Sequence, residues 1–324
     1  MSDLVIVNEA QCQNLVTRAD AFKAVEDVFC AMSKGEAYNF PVVREAIGYA
    51  DALYGFKSGF DKTGKVLGVK AGGYWPGNVE KGLANHQSSV CLFDPDTGEL
   101  SAIVAGNYLT AVRTAASSAV SIAHLARKDS KVLGMVGAGH QSTFQVRAAV
   151  EQRDFEKIVA WNPHPEMLPR LAELARELKV DFEAVDQQRL GREADVIITI
   201  TSAFEPLLMR DWIKPGTHLA CMGTDTKGKM EVDAELLARA TVFTDEIAQS
   251  ISIGESQHAI QKGLITEDQI TPIGDVIKGD HLGRSSEDEV TLFDGTGVGL
   301  QDLAVASVAA RLALQAEDAL KITL

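Results

Sequence analysis

No stretch of this 324-residue chain reaches 18 consecutive apolar residues, so no segment reads as a membrane-spanning helix. Its first ten residues, Met1 to Ala10, contain neither a basic run nor an apolar core of signal-peptide length, and the location expected from this is the cytoplasm. Cysteine is scarce. Cys12, Cys30, Cys91 and Cys221 form no CxxC pair and no Cys/His cluster with metal-ligand spacing, which argues against a disulfide scaffold or a metal centre and predicts four reduced thiols. Positive charge is in deficit: 31 Lys and Arg face 45 Asp and Glu, for a net charge of −14. An acidic surface repels phosphate backbones and anionic lipid, so neither nucleic acid nor membrane is an expected partner. Internal repeats, low-complexity tracts and long charge blocks are also missing. What remains is ordinary globular composition, 46% hydrophobic and 23% charged, in a chain longer than one core usually supports. Two domains are therefore expected.

The pattern of elements changes along the chain. A short apolar strand, Leu4 to Val7, precedes a helix capped by Thr17, in which Phe22, Val25, Phe29 and Met32 fall at helical spacing. Strand-like pieces follow at Leu53–Phe60, Val66–Lys70, Ser88–Phe93 and Leu100–Val104. The last two flank Asp94-Pro95-Asp96-Thr97-Gly98, a strong hairpin turn. Consecutive strands here are expected to pair antiparallel, and a small-residue helix over Leu109–Ala126 closes the region. From there strands and helices alternate. Strands are expected at Val132–Val136, Lys157–Trp161, Val196–Ile200, His218–Met222, Val242–Thr244 and Val290–Phe293, and helices at Gln141–Gln152 and Pro165–Leu178. Such alternation implies a parallel sheet with crossover helices. A final Ala-rich helix, Val298–Leu314, is expected to pack back on the first region. The fold class is thus α/β, with a Rossmann dinucleotide-binding domain (residues 126–299) inserted in an α+β domain (residues 1–125 and about 300–324).

The strand ending at Val136 runs into Gly137-Ala138-Gly139-His140-Gln141-Ser142. In a strand–turn–helix of this kind the first glycine permits the sharp turn and the second lets backbone approach a pyrophosphate. The helix N-terminus then supplies N–H groups and the positive end of its dipole. Ser142 stands at the third position of the fingerprint and is small enough for close helix–strand packing. The next strand ends at Trp161-Asn162-Pro163-His164. No acidic residue is there for the ribose hydroxyls and no Arg for a 2′-phosphate, but Asn162 can hydrogen-bond a ribose hydroxyl. NAD is favoured over NADP.

Six segments in order carry a wider resemblance: Lys65-Val-Leu-Gly-Val-Lys70, Tyr74-Trp-Pro-Gly-Asn78, Leu109-Thr-Ala-Val-Arg-Thr-Ala-Ala116, Gly137-Ala-Gly-His-Gln141, Gly223-Thr-Asp-Thr-Lys-Gly-Lys229 and Thr296-Gly-Val-Gly-Leu-Gln-Asp302. In these the chain resembles the ornithine cyclodeaminase / mu-crystallin family over most of its length. That family holds ornithine cyclodeaminases, alanine dehydrogenases, ketimine reductases and related imino-acid reductases. The resemblance implies a homodimer whose non-Rossmann domain binds substrate and dimerises. It places the catalytic lysine on Lys70, the catalytic aspartate on Asp225 and the carboxylate-binding arginines on Arg44 and Arg113. Cofactor contacts fall on His140, Gln141, Asn162, Thr201, Met222, Gly223, Thr224 and Val298, beside the Gly137-Ala138-Gly139 turn.

Read from the residues alone, these positions admit two meanings each. Arg113 is a lone cation in a helix of small, mostly uncharged residues and needs an anionic partner. The partner is an α-carboxylate held in a bidentate fork, or an internal Asp or Glu. Lys70 is a strand-end lysine reaching water, or a desolvated lysine with a lowered pKa that moves protons. Asp225 is a turn cap in a Gly-rich loop, or a functional group at the ligand-binding edge of a parallel sheet. The resemblance selects the functional meaning of each.

The chain departs from the family at Gly82-Leu83-Ala84-Asn85-His86-Gln87-Ser88, where Thr is usual at 85 and Gly at 88, and at Ala105-Gly106, where Asp-Gly is usual. An ornithine amino group calls for acidic partners, whereas Asn85, His86 and Ser88 can donate to a second carboxylate. The expected activity is therefore NADH-dependent reduction of an α-imino acid, formed from an oxo acid and ammonia, to an L-amino acid, with iminosuccinate to aspartate as the specific choice. Ornithine cyclodeamination, alanine dehydrogenation, cyclic ketimine reduction and non-catalytic nicotinamide binding are the alternatives.

Overall fold

The computed structural model describes residues 3–317 and 319–323, and the chain divides into two compact units. Unit 1 holds the described residues up to Arg113 and again from Val298, and unit 2 runs from Thr114 to Gly297. The sequence placed the first crossing near residue 125, at the end of the small-residue helix. The structural division falls inside that helix. Its first turns bond to unit 1, where Asn107 accepts from Ser88 N and Thr110 from Lys70, while Ser121 further along meets His218 of unit 2.

Unit 1 begins with β1 (Asp3–Val7), α1 (Glu9–Leu15) and α2 (Arg18–Ser33). Thr17 caps α2 in a capping box with Asp20, which satisfies two of the orphan donors at the helix start. The buried residues of α2 are Ala21, Val25, Val28, Phe29 and Ala31, so Phe22 and Met32 flank that stripe rather than form it. Next come β2 (Ala37–Asn39), β3 (Val43–Ala46), β4 (Leu53–Asp61), β5 (Val66–Tyr74), β6 (His86–Phe93), β7 (Leu100–Ala105) and α3 (Asn107–Leu125). Strands β4 to β7 are an antiparallel meander, as expected, while β1 joins β7 in parallel. Strand β5 runs four residues past its expected end. The extension carries Gly72 and Gly73 in strand pairing. A Cβ on them would lie 2.3 Å from Gln87 O and 1.9 Å from Leu53 O. Lys70 is consequently mid-strand.

Unit 2 alternates strand and helix: β8 (Val132–Val136), α4 (His140–Ala149), β9 (Lys157–Trp161), α5 (Pro169–Leu178), β10 (Asp181–Ala184), α6 (Gln187–Glu193), β11 (Val196–Thr199) and β12 (His218–Cys221). It continues through α7 (Ala234–Arg239), β13 (Thr241–Thr244), α8 (Ile247–Ser250), α9 (Gln257–Gln261), β14 (Ile270–Pro272), α10 (Ile273–Ile277) and β15 (Thr291–Asp294). The helix expected from Pro165 is split. A short turn precedes α5, which starts on Pro169, because a proline is tolerated only in the first turn of a helix. The sheet order is β10-β9-β8-β11-β12-β15-β13-β14, with every pairing parallel. This is a Rossmann sheet that reverses direction of growth between β8 and β11. Its central strands are buried throughout apart from Val132 at the start of β8, as helices on both faces require. The chain then returns to unit 1 through α11 (Gly299–Gln315) and β16 (Leu320–Thr323), the latter antiparallel to β1.

Candidate active site

Register places most of the sequence-nominated residues of unit 1 on one sheet face. Directly opposed residues of antiparallel strands share a face, and Arg44, Gly55, Gly72 and Ser88 are opposed in one row across β3 to β6. The adjacent row is Lys57, Lys70 and Val90. The next carries Gly59 and Gly68, whose missing side chains let α11 lie close. A Cβ on them would meet Leu300 at 3.1 Å and Leu303 at 2.9 Å. That close approach brings Asp302 of α11 onto Lys70. The first row carries glycine at both positions between Arg44 and Ser88, Gly55 and Gly72.

Lys70 is 6% exposed, Arg113 7% and Asp302 1%. Lys70 Nζ donates to Asp302 Oδ1 at 2.9 Å and to Thr110 Oγ1 at 2.6 Å. Arg113 Nε donates to the same Asp302 oxygen at 3.1 Å, and its Nη1 to Gln301 Oε1 at 2.9 Å. Asp302 Oδ2 is buried and accepts no hydrogen bond. Two buried cations therefore share one carboxylate, and Lys57 adds like charge directly across from Lys70. Like charges in opposed positions are destabilising, and such an excess suits an anionic ligand. Burial pushes the Lys70 ammonium down to about 8, with Arg113 and Lys57 acting the same way and Asp302 opposing them. Asp302, though buried, is held down at about 2 by Arg113 and Lys70. Burial, then Lys70, lower His86 to about 3, so its imidazole is neutral at neutral pH. Ser88 Oγ lies 3.5 Å from Thr110 Oγ1. The amide of Asn85 bridges Tyr74 Oη and Val79 N. Arg44 is exposed on its edge strand.

In unit 2 the nominated residues gather at the carboxyl ends of the parallel strands, the edge where open α/β sheets bind ligands. Gly137 turns at φ +108°, and a Cβ there would lie 2.7 Å from Ile200 O. Gly139 caps α4 without a side-chain bond, and a Cβ on it would meet nothing within 4 Å. Open space over uncapped helix N–H groups fits a pyrophosphate. Buried Gln141 Oε1 beside it has no hydrogen-bond partner, and His140 is exposed with its ring against Phe144. Asn162 Oδ1 accepts from Ala138 N at 3.0 Å and its Nδ2 donates to His164 O, so it latches the glycine turn to the end of β9. Thr201 follows β11, and Met222, Gly223 and Thr224 follow β12. Asp225 Oδ1 pairs with Lys229 Nζ at 2.7 Å. Val298, nominated for the cofactor, is a fully buried residue at the N-cap of α11 in unit 1. A valine at Gly139, whose Cβ would meet no protein atom within 4 Å, should lower NADH affinity roughly tenfold or more by filling the approach to the pyrophosphate, as read by fluorescence titration, while loss of the glycine N-cap of α4 lowers the melting temperature only slightly.

Three participants went unassigned in the sequence. Asp302 is a lone acid in an Ala-rich helix, the same signal that marked Arg113. Thr110 and Lys57 gave no signal, because only strand register brings them to Lys70.

A glycine-rich turn beside the reversal point of a parallel sheet defines a dinucleotide-binding α/β protein. The chain belongs to the ornithine cyclodeaminase/mu-crystallin family, whose profile matches residues 3–315. It is 63% identical over 310 residues to the iminosuccinate reductase of Paracoccus denitrificans, an alignment covering 96% of this chain and 97% of that protein. A crystal structure of the iminosuccinate reductase of Paracoccus denitrificans in complex with NAD+ matches with a TM-score of 0.96 at 60% identity, over 99% of this chain and 100% of that one. An archaeal alanine dehydrogenase dimer with bound NAD matches with a TM-score of 0.94 at 29% identity, over 99% of both chains.

Proposed function

We propose that this protein is an NAD-dependent oxidoreductase acting on C=N, which reduces iminosuccinate, formed from oxaloacetate and ammonia, to aspartate. The observation that carries this is the buried Lys70–Asp302–Arg113 cluster, in which two cations share one carboxylate. Arg113, joined by Arg44 on the same sheet face, holds the α-carboxylate of the substrate. Ser88 and Asn85 donate to the second carboxylate, and the neutral His86 imidazole lies on the same sheet face as Ser88. Bound NADH supplies the hydride that reduces the imine carbon. Lys70, protonated below about 8, gives its proton to the imine nitrogen, so that one hydride and one proton convert C=N to CH–NH. Asp225, held by Lys229, orients the nitrogen. The Gly137-Ala138-Gly139 turn holds the pyrophosphate, with Gln141, His140, Thr201, Met222, Gly223, Thr224 and Val298 contributing contacts.

Purified protein mixed with NADH, ammonia and oxaloacetate, pyruvate, glyoxylate or 2-oxopentanoate tests the assignment by loss of reduced-nicotinamide absorbance. Oxidation should require both ammonia and oxaloacetate. Equal turnover with pyruvate would overturn the dicarboxylate assignment, and no turnover with any oxo acid would overturn imine reduction.

The enzyme works as a cytoplasmic homodimer. No helix among the described residues is long and apolar enough to cross a membrane, and the four cysteines are free. Support for the dimer lies on the sheet face opposite Lys70. There Tyr38, Val43, Tyr54 and Phe56 are 36–46% exposed, a contiguous apolar surface on β2 to β4. Phe56→Lys should convert the dimer to a monomer in sedimentation. A monomeric parent protein would refute the dimer itself.

A further inference from the structure

We propose that Glu231 is the positioning residue of the nicotinamide half-site, clamping the carboxyl ends of β11 and β12 into the arrangement that binds the cofactor. The inference rests on the NAD reading above. The sheet order assigns the halves. Strands β8, β9 and β10 form the first mononucleotide-binding half, which carries the glycine turn, and β11 and β12 lie across the reversal point in the second.

Glu231 lies outside both strands and is 1% exposed. Its Oε1 accepts from Thr201 N at 2.6 Å and Thr201 Oγ1 at 2.7 Å. Its Oε2 accepts from Thr199 Oγ1 at 2.6 Å and Gly223 N at 2.9 Å. An ionised carboxylate has about four acceptor sites, and here all four are filled, three from the end of β11 and one from the end of β12, and two of the four donors, Thr201 N and Gly223 N, are backbone N–H groups that cannot rotate away. A saturated carboxylate has no capacity left for substrate, so its role is to hold other residues. Gly223 shows how tight the clamp is: a Cβ there would lie 2.3 Å from Thr201 O and 2.5 Å from Glu231 Oε1.

A second buried acid holds the first. Glu255 Oε1 accepts from Glu231 N at 2.8 Å and Val232 N at 2.7 Å, and its Oε2 pairs with the Thr224 hydroxyl. Glu231 faces four donors, two of them backbone N–H groups that cannot accept, whereas Glu255 Oε2 meets only the Thr224 hydroxyl, which can also receive a proton. Burial raises both acids; the neighbouring Glu231 adds to this at Glu255, pushed up to about 8, while the bonds from Thr199, Thr201 and Gly223 oppose it at Glu231, which leaves the charge on Glu231. The two acids thereby fix Thr201, Gly223 and Thr224 together.

The test is calorimetric titration of the full-length protein with NADH and with ADP-ribose, which lacks the nicotinamide. In Glu231→Gln the amide NH2 must face a backbone N–H. NADH affinity should fall roughly ten- to a hundred-fold, from loss of charge-assisted bonds, while ADP-ribose affinity stays within about twofold. The kcat of imine reduction should fall as well. Equal losses for NADH and ADP-ribose would overturn the proposal, since a general scaffold role weakens both halves. Unchanged NADH affinity would also overturn it. A parent protein that binds neither ligand would instead overturn the NAD reading. Should Glu231→Gln not fold, Thr199→Val, which removes one donor at constant shape, decides by the same NADH-to-ADP-ribose ratio.

Discussion

Lys70→Met should leave NADH binding intact and lower the rate of imine reduction by about a hundred- to ten-thousand-fold, the range contributed by a positioned general acid. Methionine matches the length of the lysine stem and keeps Asp302 paired with Arg113, so the fold should survive. The pH dependence separates proton donation from simple loss of binding. Burial lowers Lys70 to about 8, with Asp302 as the opposing influence. Below that value the ammonium can donate, and above it the donor is lost. The parent-to-variant ratio of kcat/KM in the reductive direction should therefore be flat at low pH and fall as pH rises through about 8. Taking the ratio cancels the ionisation of ammonia itself. In aspartate oxidation the sign reverses, because Lys70 must then be neutral to accept the proton. A ratio that does not change with pH in either direction would remove Lys70 from the proton-transfer role.

The dinucleotide-binding turn was legible in the sequence because its parts are local. The Gly137-Ala138-Gly139 turn is bracketed by an apolar strand and a helix, and both features are encoded within about 20 residues. The hairpin at Asp94–Gly98 and the Thr17 cap are local in the same sense. The strands that the sequence failed to show are at sheet edges or short. β10 is half polar and β14 only three residues long, so neither carries the apolar run of a strand buried on both faces. Strand β5 was also read four residues short, at Lys70 instead of Tyr74. Gly72 and Gly73 have no side chain because strands approach there, and that reason exists only once β4, β5 and β6 are paired. The same limit applies to the site. Lys70 and Arg113 are 43 positions apart, and the acid that joins them is 189 residues beyond Arg113. Nothing in the spacing of these residues announces that α11 returns across the sheet.

Asp302→Asn should destabilise the protein by about 3–5 kcal/mol, the cost of removing one partner from a buried ion pair and leaving the other uncompensated. The effect is large because two cations, Lys70 and Arg113, depend on this one carboxylate, and Lys57 lies across the strand from Lys70. Asparagine keeps the shape, so a loss of stability reports charge and not a cavity. Two consequences distinguish this from general damage. With its main stabilising counterion gone, Lys70 should titrate below about 8, so the alkaline limb of the reductive kcat/KM profile moves to lower pH. An added dicarboxylate should also raise the melting temperature of the variant more than that of the parent protein, because the ligand supplies the missing negative charge and binds only the folded state. Unchanged stability together with an unmoved limb would mean that Asp302 is not the counterion of Lys70. Then the excess of positive charge could no longer be the reason that an anionic substrate binds there.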